Sequence, residues 1–290
     1  MRTDENATED NLLRSQRQDR ILTLLRTQGQ VHASALAEAF GVSGYTIRRD
    51  LDELAEAGLL ERVHGGAVPS SPVQRTFVAR QQQFLTEKAL SAKAALSLLE
   101  PDQIVIVDGG STAALFAEAL PVRYPATFLT HVPSIAATLI GKEPAEVISI
   151  GGRVDPFSRG AVGASAVEAY RGVTADLCVL GIAGLNADDG ISSPYYEEAL
   201  VRKAMIAAAD RVVGLAVGEK LGTGAAFHVG PADDLTPLAV EPGVDDALLQ
   251  PFRELGVKIL QVTDDTEPTV AEDLAAPSPG RRRQNRSSRP

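Results

Sequence analysis

Apolar and polar positions repeat with two different periods along this chain, and the change of period divides it into two parts. Between residues 14 and 68, apolar side chains recur at helical spacing in three segments, each followed by a glycine. The third segment begins after Ser43, a favourable N-cap, and places Ile47, Leu51 and Leu54 on one face. The run LLERVHGGAV then predicts two short strands around a tight turn. Three helices followed by a hairpin predict a winged helix-turn-helix.

From about residue 87, continuous apolar runs alternate with helical segments. Strand-forming runs that alternate with helices favour a mostly parallel sheet with helices on both faces, so we expect a Rossmann-like α/β domain. The predicted strands lie in the runs QIVIV, ATFLTH, EVISIGG, LCVLGIAG, RVVGLAVGE, LTPLAV and VKILQV.

Prolines and serines after the hairpin indicate a linker, and the C-terminus is acidic, then proline-rich, then arginine-rich, which is typical of an unstructured tail. The expected organisation is a disordered start over 1–13, a winged helix-turn-helix over 14–68, a linker over 69–86, a larger α/β domain over 87–262 and a disordered tail over 263–290.

Composition narrows the class of protein. The 290 residues are enough for two folded units, and 44% hydrophobic with 23% charged residues excludes wholesale disorder and an integral membrane protein. The polar N-terminus contains no apolar signal region, so we expect a cytoplasmic protein with no membrane partner. Cys178 is the only cysteine and lies in an apolar run, which excludes an intrachain disulfide and a multi-cysteine zinc site. We predict no metal site, no cofactor and no catalytic residue.

The net charge of −10 would by itself argue against a nucleic-acid partner, but its distribution matters more. Between Arg14 and Gly66 there are seven basic and seven acidic side chains, so this domain is neutral. Its third helix has arginines in the N-terminal half and acidic residues in the C-terminal half. The N-terminal half of a recognition helix is the part that enters the major groove of DNA.

The third helix therefore supplies most of the candidate DNA contacts. With Ile47 facing inward, Tyr45 and Arg49 lie nearly opposite, and Thr46 and Arg48 lie on the flanks. Arginine binds guanine or phosphate, and the hairpin could reach the DNA backbone or minor groove. The candidate contacts are Ser43, Tyr45, Thr46, Arg48, Arg49, Arg62 and His64. The alternative is that Arg48 and Arg49 only form solvated pairs with Asp50, Asp52 and Glu53.

Three glycine-containing loops follow predicted strands in the second domain, and such loops gather at the carboxyl edge of a parallel sheet. Small residues and the N–H groups at a helix start favour an anion such as phosphate. The alternative for the first loop is a tight turn capped by Ser111. None of the loops has a dinucleotide fingerprint or a Walker sequence. Their candidate residues are Asp108, Gly109, Gly110, Ser111 and Thr112, then Gly151, Gly152 and Arg153, then residues 181–186 with Gly184.

The sequence resembles the DeoR family of bacterial transcriptional regulators over roughly residues 14–240. The string FGVSGYTIRRDLDELAEAGLLERVHGGA, from Phe40 to Ala67, is similar to the family's DNA-binding domain. In the second part, Asp108–Thr112 resemble the family's phosphate loop, and Gly151 and Gly152 its second glycine pair. Further matches lie in a Glu-containing helix, at Glu198, Arg202 and Lys203, and at a lysine, Lys220. Of these, the resemblance implies that Glu198, Lys203 and Lys220 bind the effector.

The resemblance implies a sensor domain similar in fold to ribose-5-phosphate isomerase and CoA-transferase relatives. It also implies a repressor of a sugar or polyol catabolic operon that binds double-stranded operator DNA as a homodimer or homotetramer and is relieved by a phosphorylated sugar. One alternative is a phosphosugar isomerase-like enzyme that carries a helix-turn-helix, and another is an architectural DNA-binding protein that has no effector.

Two positions depart from the family pattern. Val217 stands where the family usually has Asp, and His131 stands where it usually has Asn. His131 is a candidate effector ligand, a buried neutral histidine or an exposed loop residue.

Overall fold

The computed structural model describes residues 13–28, 30–69 and 77–262. The expected disordered start, apart from Leu13, the arginine-rich tail and most of the N-terminal part of the linker lie outside these described residues. The expectations about them stay predictions.

The N-terminal unit is a small helical domain that carries a hairpin. The structure confirms the three predicted helices and the two hairpin strands, and it adds a short strand before the second helix. This extra strand pairs antiparallel with the second hairpin strand. In residues 13–28 and 30–69 the elements are α1 (Arg14–Gln28), β1 (Val31–His32), α2 (Ala33–Ala39), α3 (Gly44–Glu56), β2 (Leu60–Val63) and β3 (Gly66–Pro69).

The core of this unit forms where the apolar faces of α1 and α3 meet. Ile21, Ile47 and Leu51 are fully buried there, and each such side chain contributes about 1.5–3 kcal/mol to the free energy of folding. A buried ion pair crosses the same interface, because the Arg17 guanidinium donates two hydrogen bonds to the Asp50 carboxylate, one of them 3.1 Å long from Nη2 to Oδ1. This pair fixes the orientation of α3 relative to α1.

The second unit alternates helices and strands, as its sequence predicts. Its described elements are α4 (Phe77–Gln82), α5 (Leu85–Leu96), β4 (Ile104–Val107), α6 (Ser111–Ala119), β5 (Thr127–Thr130), α7 (Pro133–Ile140), β6 (Glu146–Ser149), β7 (Arg153–Val154), β8 (Ala161–Val162), α8 (Ala164–Arg171), β9 (Ala175–Gly181), β10 (Gly184–Asn186), β11 (Gly190–Ser193), α9 (Tyr196–Ala208), β12 (Ala209–Leu215), β13 (Phe227–Gly230), β14 (Leu238–Ala239), α10 (Asp246–Glu254) and β15 (Ile259–Leu260).

The main sheet of the described residues has seven parallel strands in the order β15-β14-β12-β9-β4-β5-β6. All seven predicted strands are present in it. Alternate residues of β4 face opposite sides, so Val105 packs with helices α5 to α7 and Ile106 packs with α8 and α9. The sheet is therefore covered on both faces, as the continuous apolar runs predict.

The strand order places a topological switch point between β4 and β9. The chain runs outward from β4 through β5 to β6, and then returns to the other side of β4 to form β9, β12 and β14. Crevices at the carboxyl ends of strands on either side of such a point are the usual ligand sites of open α/β sheets. The small sheet β10-β11-β13 and the hairpin β7-β8 are not predicted by the sequence patterns. Their strands have only two to four residues.

Candidate functional site

The N-terminus of α3 has the geometry expected of a recognition helix. The Ser43 side chain caps the helix by accepting a hydrogen bond of 3.1 Å from the backbone N–H of Thr46, and the two hydroxyl groups lie 2.9 Å apart. Tyr45 is 72% exposed, and Arg48 and Arg49 are exposed beside it. The cap thus fixes the helix start while three long side chains project into solvent.

The alternative, in which the acidic residues of α3 pair with Arg48 and Arg49, is met in the described structure by the pair of Arg49 with Glu53. Asp50 is buried against Arg17 and is therefore unavailable to either arginine. Arg49 Nε does contact Glu53 Oε1 at 3.2 Å, but the arginine side chain is 64% exposed. An exposed i,i+4 pair contributes at most about 1 kcal/mol, so DNA could displace it.

The hairpin residues have different environments. His64 is exposed at the turn between β2 and β3. Arg62 is engaged within the domain, because its guanidinium donates to the backbone carbonyl of Gly66 at 3.1 Å and lies 3.0 Å from a carboxylate oxygen of Asp52. The structure therefore gives Arg62 a role in joining the hairpin to α3.

A pocket lies in the second unit at the switch point, between the carboxyl ends of β4 and β9. It encloses about 590 Å³, including its open mouth. Residues from the first and third predicted loops line it, together with residues of α9, of the segment that follows β12, and of the chain on both sides of the start of α5. The lining residues are Arg80, Gln83, Lys88, Gly109, Gly110, Ser111, Thr112, Gly181, Ile182, Ala183, Pro194, Glu198, Arg202, Leu215, Ala216, Val217, Glu219 and Lys220.

The N-terminus of α6 opens into this pocket without a side-chain cap. The N-cap is Gly110, with a φ of +97°, and Ser111 is the first helical residue. Because Ser111 is not the N-cap, the alternative of a turn capped by its hydroxyl does not hold. The first backbone N–H groups of a helix have no acceptor within the helix, and together with the helix dipole they attract an anion.

Behind the loop, a buried charge network fixes Asp108. Its Oδ2 accepts hydrogen bonds of 3.0 Å from the Gly181 N–H and from Arg202 Nε, and Arg202 Nη1 lies 3.2 Å from Glu198 Oε2. The Ser193 hydroxyl donates to the same Glu198 oxygen. Burial lowers the pKa of Arg202, but the two carboxylates raise it by more, so this pKa lies above its ordinary value. Arg202 therefore stays charged, and through Asp108 it links α9 to the carboxyl ends of β4 and β9.

The close approach of β4 and β9 requires a glycine at position 181. A Cβ atom there would lie 2.7 Å from the carbonyl oxygen of Gly109, which is shorter than any ordinary contact. Gly181 thus allows the two glycine loops to lie side by side under the pocket.

The lining residues of the described structure carry more positive than negative charge. Their cations are Arg80, Lys88, Arg202 and Lys220, against the carboxylates of two glutamates. Lys220 Nζ lies 3.5 Å from Glu219 Oε1, and both residues line the pocket. An excess of cations beside a helix N-terminus is the environment that stabilises a phosphate group.

His131 lies behind Asp108 and does not line the pocket. Its Nδ1 is 3.1 Å from the Tyr170 hydroxyl, and its Nε2 is 3.9 Å from Asp108 Oδ1. Burial lowers the pKa of this imidazole below its ordinary value, although the Asp108 carboxylate acts in the opposite direction. Of the three interpretations that the sequence allows, the geometry favours a buried neutral histidine.

Several predicted effector residues lie away from this pocket. Arg153 forms an ion pair with Glu197, and Gly151 and Gly152 beside it are exposed. Gly184 lies on β10, with no pocket contact among the described residues.

The structure places the two adjacent basic residues of α9 in different environments. Lys203 is exposed, whereas Arg202, which the resemblance includes but which is not among the predicted effector ligands, is buried and lines the pocket. Burial of α9 on the sheet decides which one faces inward. The sequence patterns also miss Arg80, Gln83 and Lys88, since these lie in or next to the predicted linker.

A second cleft adjoins the first and shares Pro194 and Glu198 with it. It encloses about 680 Å³, including its open mouth. The rings of Phe157 and Tyr195 stack in it with centroids 5.6 Å apart and planes 20° apart, and Tyr196 meets Phe227 edge to face at 5.5 Å. Phe157 and Tyr196 are 54% and 59% exposed, and the carboxylates of Asp155, Glu197 and Glu198 also line this cleft.

Comparisons with known proteins cover both units. Residues 17–73 match the model of the DeoR-like helix-turn-helix domain, and residues 83–241 match the model of the DeoR C terminal sensor domain. The Glycerol-3-phosphate regulon repressor of Escherichia coli (strain K12) is 31% identical over 74% of this chain and 86% of its own. The Transcriptional repressor AccR of Agrobacterium fabrum is 32% identical over 82% of this chain and 91% of its own.

Among solved structures, ribose 5-phosphate isomerase A from Methanocaldococcus jannaschii matches 44% of this chain and 50% of its own at 15% identity, with a TM-score of 0.33. This score is low, so the expected likeness to that isomerase rests on the family resemblance alone. No helix of the described residues is long and apolar enough to cross a membrane.

Proposed function

This chain belongs to the DeoR family of transcriptional regulators, and we propose that it represses a sugar or polyol catabolic operon until a phosphorylated sugar binds its sensor domain. The observation that carries the proposal is the uncapped N-terminus of α6, which opens into a pocket rich in cations at the switch point of the sheet. A relative that shares 31% identity is named for a regulon of a phosphorylated polyol, which supports the same ligand class.

In the proposed complex with operator DNA, the N-terminal half of α3 enters the major groove. Tyr45, Arg48 and Arg49 are exposed at that end and supply contacts to base edges and phosphates. His64 is placed on the hairpin to reach the DNA backbone. Arg62 supports the hairpin through Asp52 and has a smaller part in binding. Because dimers read half-sites at a fixed spacing, we further propose a homodimer or a homotetramer.

The effector is proposed to bind with its phosphate at the helix start. The backbone of Gly110 to Thr112 and the cations of the pocket then bind the phosphate oxygens. The body of the sugar extends past Glu198 into the second cleft. Rings such as Phe157 and Tyr195 can pack against the C–H groups of a sugar, while carboxylates accept hydrogen bonds from its hydroxyls.

The relatives are named transcriptional regulators, which points to a protein that is not an enzyme. We propose that the pocket carries out no isomerisation. Catalysis would need a carboxylate or amine able to move a proton. Of the candidates that the sequence offers for this role, Asp108 and Glu198 both bind the buried Arg202, and Lys203 is exposed outside the pocket. The expected result with the full chain is no aldose–ketose conversion of any phosphosugar that it binds.

A gel-shift titration on the DNA upstream of the chain's own gene tests the proposal. We expect a specific shift without ligand and its loss with at least one member of a panel of three- to six-carbon sugar phosphates. The matched unphosphorylated sugars serve as controls. No specific shift would contradict the DNA-binding part. A shift that no phosphosugar changes, together with unchanged thermal stability, would favour an architectural protein over a sensor.

A further inference from the structure

The segment that joins the two units also forms part of the pocket wall. This connector, residues 77–88, contains α4 and the start of α5, and it contributes Arg80, Gln83 and Lys88 to the lining. It begins eight positions after the last residue of β3, which ends the hairpin of the DNA-binding domain. The lining of the effector pocket thus includes residues of the segment that joins the sensor domain to the DNA-binding domain.

Phe77 anchors the first turn of the connector on the sensor domain. Its side chain is buried, and two guanidinium groups lie near its ring, that of Arg159 at 5.0 Å and that of Arg80 at 5.9 Å from the centroid. Arg159 belongs to the loop between β7 and β8, which also carries Phe157 of the second cleft. The connector therefore lines the first pocket and also contacts the loop that supplies Phe157 to the second cleft.

Lys88 fixes the other end of α4. Its Nζ is buried and donates hydrogen bonds to the backbone carbonyls of Arg80 and Gln83, the second at 2.6 Å. The lysine spans the break between α4 and α5, where Phe84 adopts a φ of +53°. A positive φ at a bulky residue is strained and is maintained only by its surroundings.

Two polar groups of the connector belong to residues that line the pocket. The Oε1 atom of Gln83 is buried and has no hydrogen-bond partner, although the residue lines the pocket. Such an atom costs about 1–3 kcal/mol unless a partner arrives. Burial lowers the pKa of Arg80, while the carboxylate of Glu198 and the guanidinium of Arg202 act on it in opposite directions. A phosphate in this pocket could bind the Arg80 guanidinium, and a ligand hydroxyl could donate a hydrogen bond to the Gln83 amide oxygen.

We propose that Arg80 and Gln83 are effector-binding residues, and that ligand binding is transmitted to the DNA-binding domain because these residues belong to the connector itself. This inference rests on the proposed function. Arg80 binds the phosphate, and Gln83 accepts a hydrogen bond from a hydroxyl of the sugar. A ligand shifts an equilibrium only if it binds one arrangement better than another, and these two contacts exist only when the connector lies on the sensor.

Hydrogen exchange of the full chain, measured by mass spectrometry, separates this inference from the proposal on which it rests. The probes are inorganic phosphate and glucose 6-phosphate, each compared with sodium chloride at the same ionic strength. We expect slower exchange in two segments, residues 77–88 and residues 108–116, while α10 serves as the reference. Protection of residues 108–116 alone would overturn the role of the connector and leave the phosphate site standing. Protection of neither segment would overturn both.

Substitution of Arg80 gives a second measurement. Arg80→Met keeps most of the side-chain volume and removes the charge, so phosphate affinity should fall about tenfold or more, and Arg80→Lys should recover part of it. Arg171→Met is the matched control, because that arginine is exposed and pairs only with Glu168 in the described structure. Equal affinities in the native protein and Arg80→Met, with the circular dichroism unchanged, would refute the assignment.

Discussion

Ser111→Glu places a carboxylate at the first residue of α6, inside the pocket where we expect the phosphate to bind. Ser111 is only 7% exposed, so the new charge would be partly shielded from water. With an effective dielectric constant of about 20 and a separation of about 5 Å, each negative charge of the ligand loses about 3 kcal/mol. This corresponds to an affinity roughly two orders of magnitude lower for each ligand charge.

The same substitution should not destabilise the fold. A carboxylate in the first turn interacts favourably with the helix dipole, which contributes about 0.3–1 kcal/mol, and cations surround the site. We therefore expect urea denaturation to give an equal or slightly larger free energy of unfolding. Loss of ligand binding without loss of stability would distinguish a binding residue from a structural one.

The assay is a ligand titration of the operator complex in a gel shift, with a thermal-shift titration in parallel. Ser111→Gln is the matched control, because it has nearly the same volume and no charge. We expect the glutamate variant to show no response and the glutamine variant to respond with a smaller loss of affinity. An unchanged response of Ser111→Glu would remove this loop from the site, and equal losses in both variants would refute the electrostatic reasoning.

Further predictions concern α3, the buried network and the buried histidine. Arg49→Ala should weaken operator binding about tenfold and binding to unrelated DNA much less, whereas equal losses in a gel shift would make Arg49 a phosphate contact. Arg202→Met leaves two buried carboxylates without their cation and should lower the free energy of unfolding by about 3–5 kcal/mol in urea; a loss below about 1 kcal/mol would contradict the network. Because burial lowers the pKa of His131, the unfolded chain binds a proton near pH 6.5 that the folded chain does not, so stability should fall as the pH drops from about 7.5 to 5.5. His131→Asn should flatten this dependence, and an unchanged slope in this variant would refute the assignment.

The sequence patterns predict the parts of the fold in which burial is regular. The strands of the main sheet are continuous apolar runs because helices cover both faces, and α3 begins after Ser43 because this residue caps it. Short elements in which buried and exposed residues are mixed are not predicted by these patterns. The strand β1 has two residues, and only its pairing with β3 makes it a strand.

The candidate site is predictable where a local motif encodes it. The Asp108 to Thr112 loop carries its own glycines and helix start, so sequence suffices to place it at the edge of the sheet. In contrast, Arg202 and Lys203 are adjacent and chemically similar, and only the packing of α9 decides between them. No local sequence pattern marks Arg80, because its place in the pocket depends on how the connector packs on the sensor domain. The contacts of Phe77 and Lys88 maintain this packing.

The position of the connector has a practical consequence for building hybrid regulators. A fusion of this sensor to another DNA-binding domain at the predicted boundary, residue 87, would remove Arg80 and Gln83 from the pocket wall. The graft would keep the whole parallel sheet, but the buried Lys88 would lose both of its backbone acceptors. We expect it to bind the proposed effector weakly and to pass no signal on. A junction placed before Phe77 retains the entire wall. The part of this protein to fuse to another DNA-binding domain is therefore the sensor domain together with the connector.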